Sequence, residues 1–173
     1  LNYFGLQAGD GHDNHYSSEE LKLILRSSSP SDKFSRAEWR VLAQAIDFRE
    51  LDVSDLMRPF HEAVVLSKEA FLETNLDRIA QHRYSRYPVM DKDGHVSGVV
   101  HIKDVFLALR KNPTLDITEL VRPVQLVSPD MPATELFRRF QKGAPHFTIV
   151  GYEDAPPVGF ITLDNLLAAL VGE

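Results

Sequence analysis

Arg86 is the side chain best suited to hold an anion. Its guanidinium is planar, permanently charged and forked, which matches two phosphate oxygens at once. Ser85 beside it adds a hydroxyl donor. Thr162 stands where an extended apolar run gives way to a helical one, and helix N-termini favour anions. Asp104 and Asn165 each fall six residues after a glycine, Gly98 and Gly159, that opens such a run. Their side-chain oxygens can accept hydrogen bonds from sugar hydroxyls. Ala63, Val64 and Tyr84 can line an apolar slot for a flat ring.

Each of these residues also has a plainer use. Thr162 can simply cap its helix. Asp104 can be a first-turn acid favoured by the helix dipole. Arg86 can pair with a surface carboxylate, and His101 and His146 can be structural. The stretch Asp10-Gly11-His12-Asp13-Asn14-His15 has donors for a divalent cation, yet it reads better as a solvated linker, so no metal site is assigned.

Other chemistry is excluded more firmly. The chain has no cysteine, which removes disulfides, thiolate metal sites and a thiol nucleophile. It has no G-x-x-x-x-G-K-[ST] loop and no G-x-G-x-x-G turn. No nucleophile-elbow motif accompanies its serines. No catalytic residue is assigned and the chain is not expected to be an enzyme. Net charge is −6 with no basic block, which disfavours nucleic acid. The longest apolar run, Leu166 to Val171, is far short of the ~20 residues that cross a bilayer. The chain opens on Leu1 and closes just past an apolar helix pattern, so it reads as a piece of a longer protein.

The elements that must position these groups are repeated. LDVSDLMRP at 51–59 matches LDITELVRP at 115–123, offset by 64, with every difference conservative. Thr74 to Arg78 faces Thr134 to Arg138, and Pro88-Val89-Met90 faces Thr148-Ile149-Val150. GVVHIKDVFLAL at 98–109 faces GFITLDNLLAAL at 159–170. Periodicity then predicts one unit as β-α-β-β-α. It runs through an extended piece at 63–66, a helix at 68–82, a strand from Tyr87, a turn at 91–94, a strand at 96–101 and a helix at 102–111. The second unit repeats it with a strand near 124–127, a helix at 132–142, strands at 146–151 and 157–162, and a helix at 163–171.

This is an α+β fold. A unit of about 60 residues has a marginal core by itself. Two copies related by a pseudo-twofold would share one core and form clefts at their junction. Residues 1–50 differ: Ser17/Glu20 and Ser35/Glu38 have capping-box spacing, and they open two helices of a hairpin. The expected organisation is a linker and hairpin at 1–50, a first repeat at 51–112 and a second at 113–173.

The duplicated pattern resembles tandem CBS (cystathionine-beta-synthase-type) motifs, which form a Bateman module. The carriers are YSRYPV at 84–89, GVVHIKD at 98–104 and GFITLDN at 159–165. With DLMRP at 55–59, HFTIV at 146–150, the ending GFITLDNLLAALVGE and the lead SSEELKLIL, the chain is similar to the cytoplasmic portion of the CorC/HlyC and cyclin-M (CNNM) membrane proteins. That resemblance implies a regulatory module that binds an adenosine nucleotide, ATP or AMP, alone or with Mg2+. It implies a homodimer attached to a transmembrane domain and a C-terminal domain, on the cytoplasmic face of the inner (plasma) membrane, in a protein of magnesium and cobalt transport.

The family pattern also groups the residues. One nucleotide site would join Ala63, Val64, Tyr84, Ser85, Arg86 and Pro88 to Thr162 and Asn165. A second would join His101 and Asp104 to Pro145, His146 and Phe147. Two positions depart from the pattern: Asn165 stands where the family has Asp, and Phe60 where bacterial relatives often carry Arg. The alternative is a structural dimerisation module whose nucleotide site has decayed.

Overall fold

The computed structural model describes residues 16–28 and 35–172, so the His/Asp stretch at 10–15 lies outside the described residues. Helices α1 (Ser18–Ser28) and α2 (Arg36–Phe48) form the hairpin. Both capping boxes close: Glu20 N–H donates to Ser17 Oγ at 3.2 Å, and Ser35 with Glu38 makes the reciprocal pair that opens α2. An ion pair between Lys22 and Asp47, 2.6 Å apart, ties the two helices together. The hairpin is docked rather than appended. Helix α2 packs along the last helix of the chain, and Phe48 is buried in the second repeat's core beside Val53, Leu136 and Leu166.

The first repeat runs α3 (Val53–Leu56), β1 (Arg58–Pro59), a 3-10 turn at Phe60–Glu62, β2 (Leu66–Ser67), α4 (Leu72–His82), β3 (Arg86–Met90), β4 (Val96–His101) and α5 (Ile102–Lys111). The second opens on a 3-10 turn at Ile117–Leu120 and continues through β5 (Gln125–Val127), α6 (Ala133–Gln141), β6 (Phe147–Val150), β7 (Gly159–Thr162) and α7 (Leu163–Val171). The β-α-β-β-α order is therefore present twice.

Several boundaries differ from the periodicity by one to four residues, most of all in the first repeat. The early extended piece sits at Leu66–Ser67, and α4 starts at Leu72 instead of 68. The cause is Asn75, which is fully buried. Its amide accepts from Ser67 N–H at 3.1 Å and donates to Ser67 C=O at 2.9 Å, which pins Ser67 as extended backbone.

In each repeat the first strand is parallel to the second and the second antiparallel to the third. The two repeats also exchange backbone. Strand β1, which precedes the first repeat's sheet, pairs with β7 of the second, Arg58 opposite Phe160. Its counterpart 64 residues on, Arg122, bridges Val99 in β4 through two hydrogen bonds of 2.9 Å.

This exchange explains the repeat glycines. A Cβ on Gly98 would lie 2.3 Å from the Arg122 carbonyl oxygen, and one on Gly159 2.8 Å from that of Arg58. Only glycine lets the crossing strand come so close. Between the sheets, Val99 of the first repeat packs with Phe147, Ile149 and Phe160 of the second. This is the shared core that each unit lacks alone.

Candidate functional site

The junction opens into a cleft of about 390 Å3, within the range of small-molecule sites. All eight residues of the first expected site line it: Ala63, Val64, Tyr84, Ser85, Arg86 and Pro88 from one repeat, Thr162 and Asn165 from the other.

The loop between α4 and β3 carries the polar groups. Helix α4 stops at Arg83, whose φ of +58° is left-handed and turns the chain toward the cleft. The buried Tyr87 ring holds the loop: its hydroxyl accepts from Tyr84 N–H at 2.8 Å and donates to Ile79 C=O at 3.3 Å. Burial pushes the Tyr87 phenol's pKa up, so it remains a neutral donor. Tyr84 is half exposed and stacks on His82 with centroids 6.1 Å apart.

Among the described residues no carboxylate lies within ion-pair distance of Arg83 or Arg86. The plainer use of Arg86, a surface salt bridge, is therefore not realised. Arg58, also on the wall, is engaged. It pairs with Glu62 at 2.8 Å and stacks over the Phe160 ring, 5.6 Å from its centroid. Phe160 in turn lies flat against Phe147, 5.4 Å away at 9°.

The opposite wall is the start of α7. Thr162 Oγ accepts from Asn165 N–H at 3.2 Å, and Asn165 Oδ1 accepts from Thr162 N–H at 2.9 Å. Thr162 O–H also donates to Asn165 Oδ1, at 2.9 Å. Because the backbone N–H of Thr162 can only donate, the atom facing it must be the amide oxygen. Both lone pairs of that oxygen are in use. The group Asn165 has left for a ligand is its NH2, a donor rather than an acceptor.

The five residues of the second expected site are not gathered in one cavity. His146 and Phe147 line the first cleft instead, where His146 packs edge-on against Phe140 at 6.0 Å. Pro145 is exposed. His101 caps α5, its Nδ1 accepting from Lys103 N–H at 3.0 Å. Asp104 lies 2.7 Å from the Arg122 guanidinium in a separate recess that includes neither His101 nor residues 145–147. The His101 imidazole is depressed by burial first and by the Arg86 charge next, with Asp104 opposing.

Sequence reasoning missed Arg58, Glu62, Arg83, Phe160, Leu163 and Asp164 as cleft residues. Arg58 had a signal, since it is repeated as Arg122, but the repeat reads as a fold motif. Arg83 had none beyond lying next to Tyr84, because its left-handed turn depends on where α4 stops.

The model of the CBS domain matches residues 53–111 and 116–172. UPF0053 protein YugS of Bacillus subtilis is 32% identical over 98% of this chain, which spans 40% of that protein. The magnesium and cobalt efflux protein CorC of Pasteurella multocida is 27% identical over 90% of this chain, which spans 52% of it. The chain thus spans about two fifths to one half of these relatives. Among solved structures, the CBS domain of the bacterial CNNM/CorC family Mg2+ transporter superimposes with a TM-score of 0.79 at 30% identity, covering 91% of this chain and 98% of that one. The same domain in complex with ATP gives 0.70 at 29%, covering 78% and 96%.

Proposed function

The chain belongs to the CBS-domain family as a tandem pair of the CNNM/CorC type, and on that premise we propose that it is a regulatory module that binds an adenosine nucleotide in the inter-repeat cleft. The observation that carries the reading is the pair of cations, Arg83 and Arg86, which meet no carboxylate among the described residues, at a cleft with an apolar wall. These guanidinium groups beside Ser85 and the start of a nine-residue helix suit a phosphate chain. Ala63, Val64, Pro88 and the exposed Tyr84 ring suit a purine. ATP and AMP are both candidates, and Arg83 and Arg86 together on the wall favour the ligand with more phosphates. Magnesium, if taken, arrives on those phosphates: among the described residues no group of three acidic or imidazole side chains is placed to hold a metal.

The bound nucleotide contacts both repeats, so it biases their relative geometry by its differential affinity for the two arrangements. In the whole protein that bias would act on a transmembrane part that handles magnesium or cobalt, as the relatives' names suggest. Among the described residues no helix is long and apolar enough to cross a membrane, so that part would lie outside this chain. Phe106 and Leu107, 62% and 59% exposed on α5, give the module an apolar face for a second copy. Light scattering that returns the monomer mass would remove the homodimer from this account.

Substituting Arg86 tests the reading. Arg86→Ala removes one charge-assisted bond, about 1.5–3 kcal/mol, and should weaken ATP at least tenfold in calorimetry while the melting temperature of the free protein holds. Unchanged affinity would contradict the phosphate assignment. The second reading, a structural dimerisation module with a decayed site, is favoured by one observation: the Asn165 oxygen is already consumed by the helix cap. It predicts a dimer whose melting is indifferent to nucleotide.

A further inference from the structure

The N-terminal hairpin carries a groove of its own, apart from the inter-repeat cleft. It has a volume of about 290 Å3 and lies between α1 and α2. Leu42 and Ile46 give it apolar surface, and Trp39 lines it with them. Every charged residue that lines it is a cation: Lys22, Arg26, Arg36 and Arg40. Lys22 is engaged by Glu19 and Asp47. Arg26, Arg36 and Arg40 are exposed, and none of them meets a carboxylate among the described residues.

This arrangement disfavours the helix that carries it. Arg36 lies in the first turn of α2, where the helix dipole opposes a cation. Arg40 follows four residues later, and like charges at that spacing repel. The cap that opens α2 uses Ser35 and Glu38 and has no need of Arg36. An anion in the groove would offset both penalties. Guanidinium forks match phosphate oxygens in pairs. Trp39 offers the amphipathic ring that suits the headgroup level of a bilayer. On the same two helices Leu23 and Val41 are 61% and 47% exposed. A free anion has no use for apolar surface beside the cations, whereas a lipid does.

We propose that the groove of Arg26, Arg36 and Arg40 docks the hairpin on the anionic headgroups of a lipid bilayer. The chain has a net charge of −6, so an anionic surface repels the rest of it and this patch decides which side approaches. The inference rests on the proposed function in one respect, the transmembrane part outside the chain that brings it to a bilayer. It does not need a nucleotide in the cleft. Because α2 packs along α7, docking would hold the helix whose start forms one wall of that cleft.

The full chain is sedimented with vesicles of phosphatidylcholine, and with vesicles that also contain phosphatidylglycerol. Trp39 is the chain's one tryptophan, so its emission reports on the groove without a label. The expected result is sedimentation and a blue-shifted emission with phosphatidylglycerol only, both fading as salt is raised. Arg26→Gln, Arg36→Gln and Arg40→Gln combined should weaken vesicle binding about a hundredfold, at about fivefold per cation. The same three positions changed to Lys should keep most of it. Neutralising Lys92, Arg110 and Lys111 on the first repeat should leave it unchanged. Equal sedimentation of wild type and the Gln triple overturns the groove assignment, as does an equal loss in the Lys92, Arg110 and Lys111 variant. No sedimentation with phosphatidylglycerol overturns the proposal, whatever ATP does in the cleft. An emission shift caused by inorganic phosphate without vesicles, at an ionic strength where chloride causes none, makes a free anion the occupant and also overturns it. Vesicle binding that falls in the Gln triple, in a chain that gives no heat with ATP, supports the docking surface and removes the nucleotide reading alone.

Discussion

At position 165 the amide oxygen serves the helix cap, so only N–H donors remain for a ligand. A ribose hydroxyl can still be contacted, but no charged acceptor distinguishes it from a missing one. Asn165→Asp keeps one oxygen for the cap and adds a second, charged one. The expected result is a gain in preference for ATP over 2′-deoxy-ATP of up to about tenfold, the worth of one charge-assisted bond near 1.5 kcal/mol. Equal affinities for the two nucleotides in the variant would place the ribose elsewhere. His101 gives the pH dependence. Its folded pKa lies below its ordinary value because burial and Arg86 disfavour the charge. Its contribution to stability is therefore complete above about pH 6.5 and declines as pH falls below that value. A phosphate on Arg86 cancels one cause of the depression, so binding should be accompanied by proton uptake at pH below about 6.5. Titrations in buffers of different ionisation enthalpy should show that uptake in wild type and less of it in His101→Asn, which retains an acceptor for the α5 cap. Identical uptake in both proteins would separate His101 from the cleft.

The loop between α4 and β3 is positioned by an element boundary and one ring. Tyr87 lies in β3 with its ring buried, and its hydroxyl is the acceptor for the Tyr84 backbone. Tyr87→Phe leaves that N–H without its partner, while the Ile79 carbonyl keeps the Arg83 N–H at 2.9 Å. The expected loss is about 1–3 kcal/mol of stability, read as a lower melting temperature, together with weaker nucleotide binding because Arg83 to Arg86 lose their anchor. Weakened binding without any change in melting would mean the hydroxyl touches the ligand directly. At this scale much was legible in the sequence. Helices α5 and α7 fall where apolar spacing puts them, 102–111 and 163–171, because the repeat glycine, the strand and the cap mark each start. The residues that line the first cleft were legible through the SRYP run and the Thr162 to Asn165 spacing. The start of α4 was not, since it depends on a buried Asn75 that local periodicity treats as a polar helix residue. Arg58 was not, since its place in the cleft follows from β1 crossing to the other repeat's sheet. The expected second site followed the family pattern, and the equivalence of the two repeats stops at the side chains of Asp104 and Asn165.

The fold connects the cleft to more than its own walls. The two repeats trade strands, with β1 on β7 and Arg122 on Val99. They share the Val99, Phe147, Ile149 and Phe160 core. Helix α7, whose start forms one wall, lies against α2 of the N-terminal hairpin. A ligand that draws the α4–β3 loop toward α7 therefore presses on the element nearest the chain's own N-terminal lead. The direct test of that account is titration of ATP, ADP and AMP, with and without magnesium, into the purified chain by calorimetry. The account predicts saturable binding near one equivalent per chain, tightest for the triphosphate. The absence of heat, together with an unmoved melting temperature at millimolar nucleotide, would contradict it and leave the structural dimerisation module in its place.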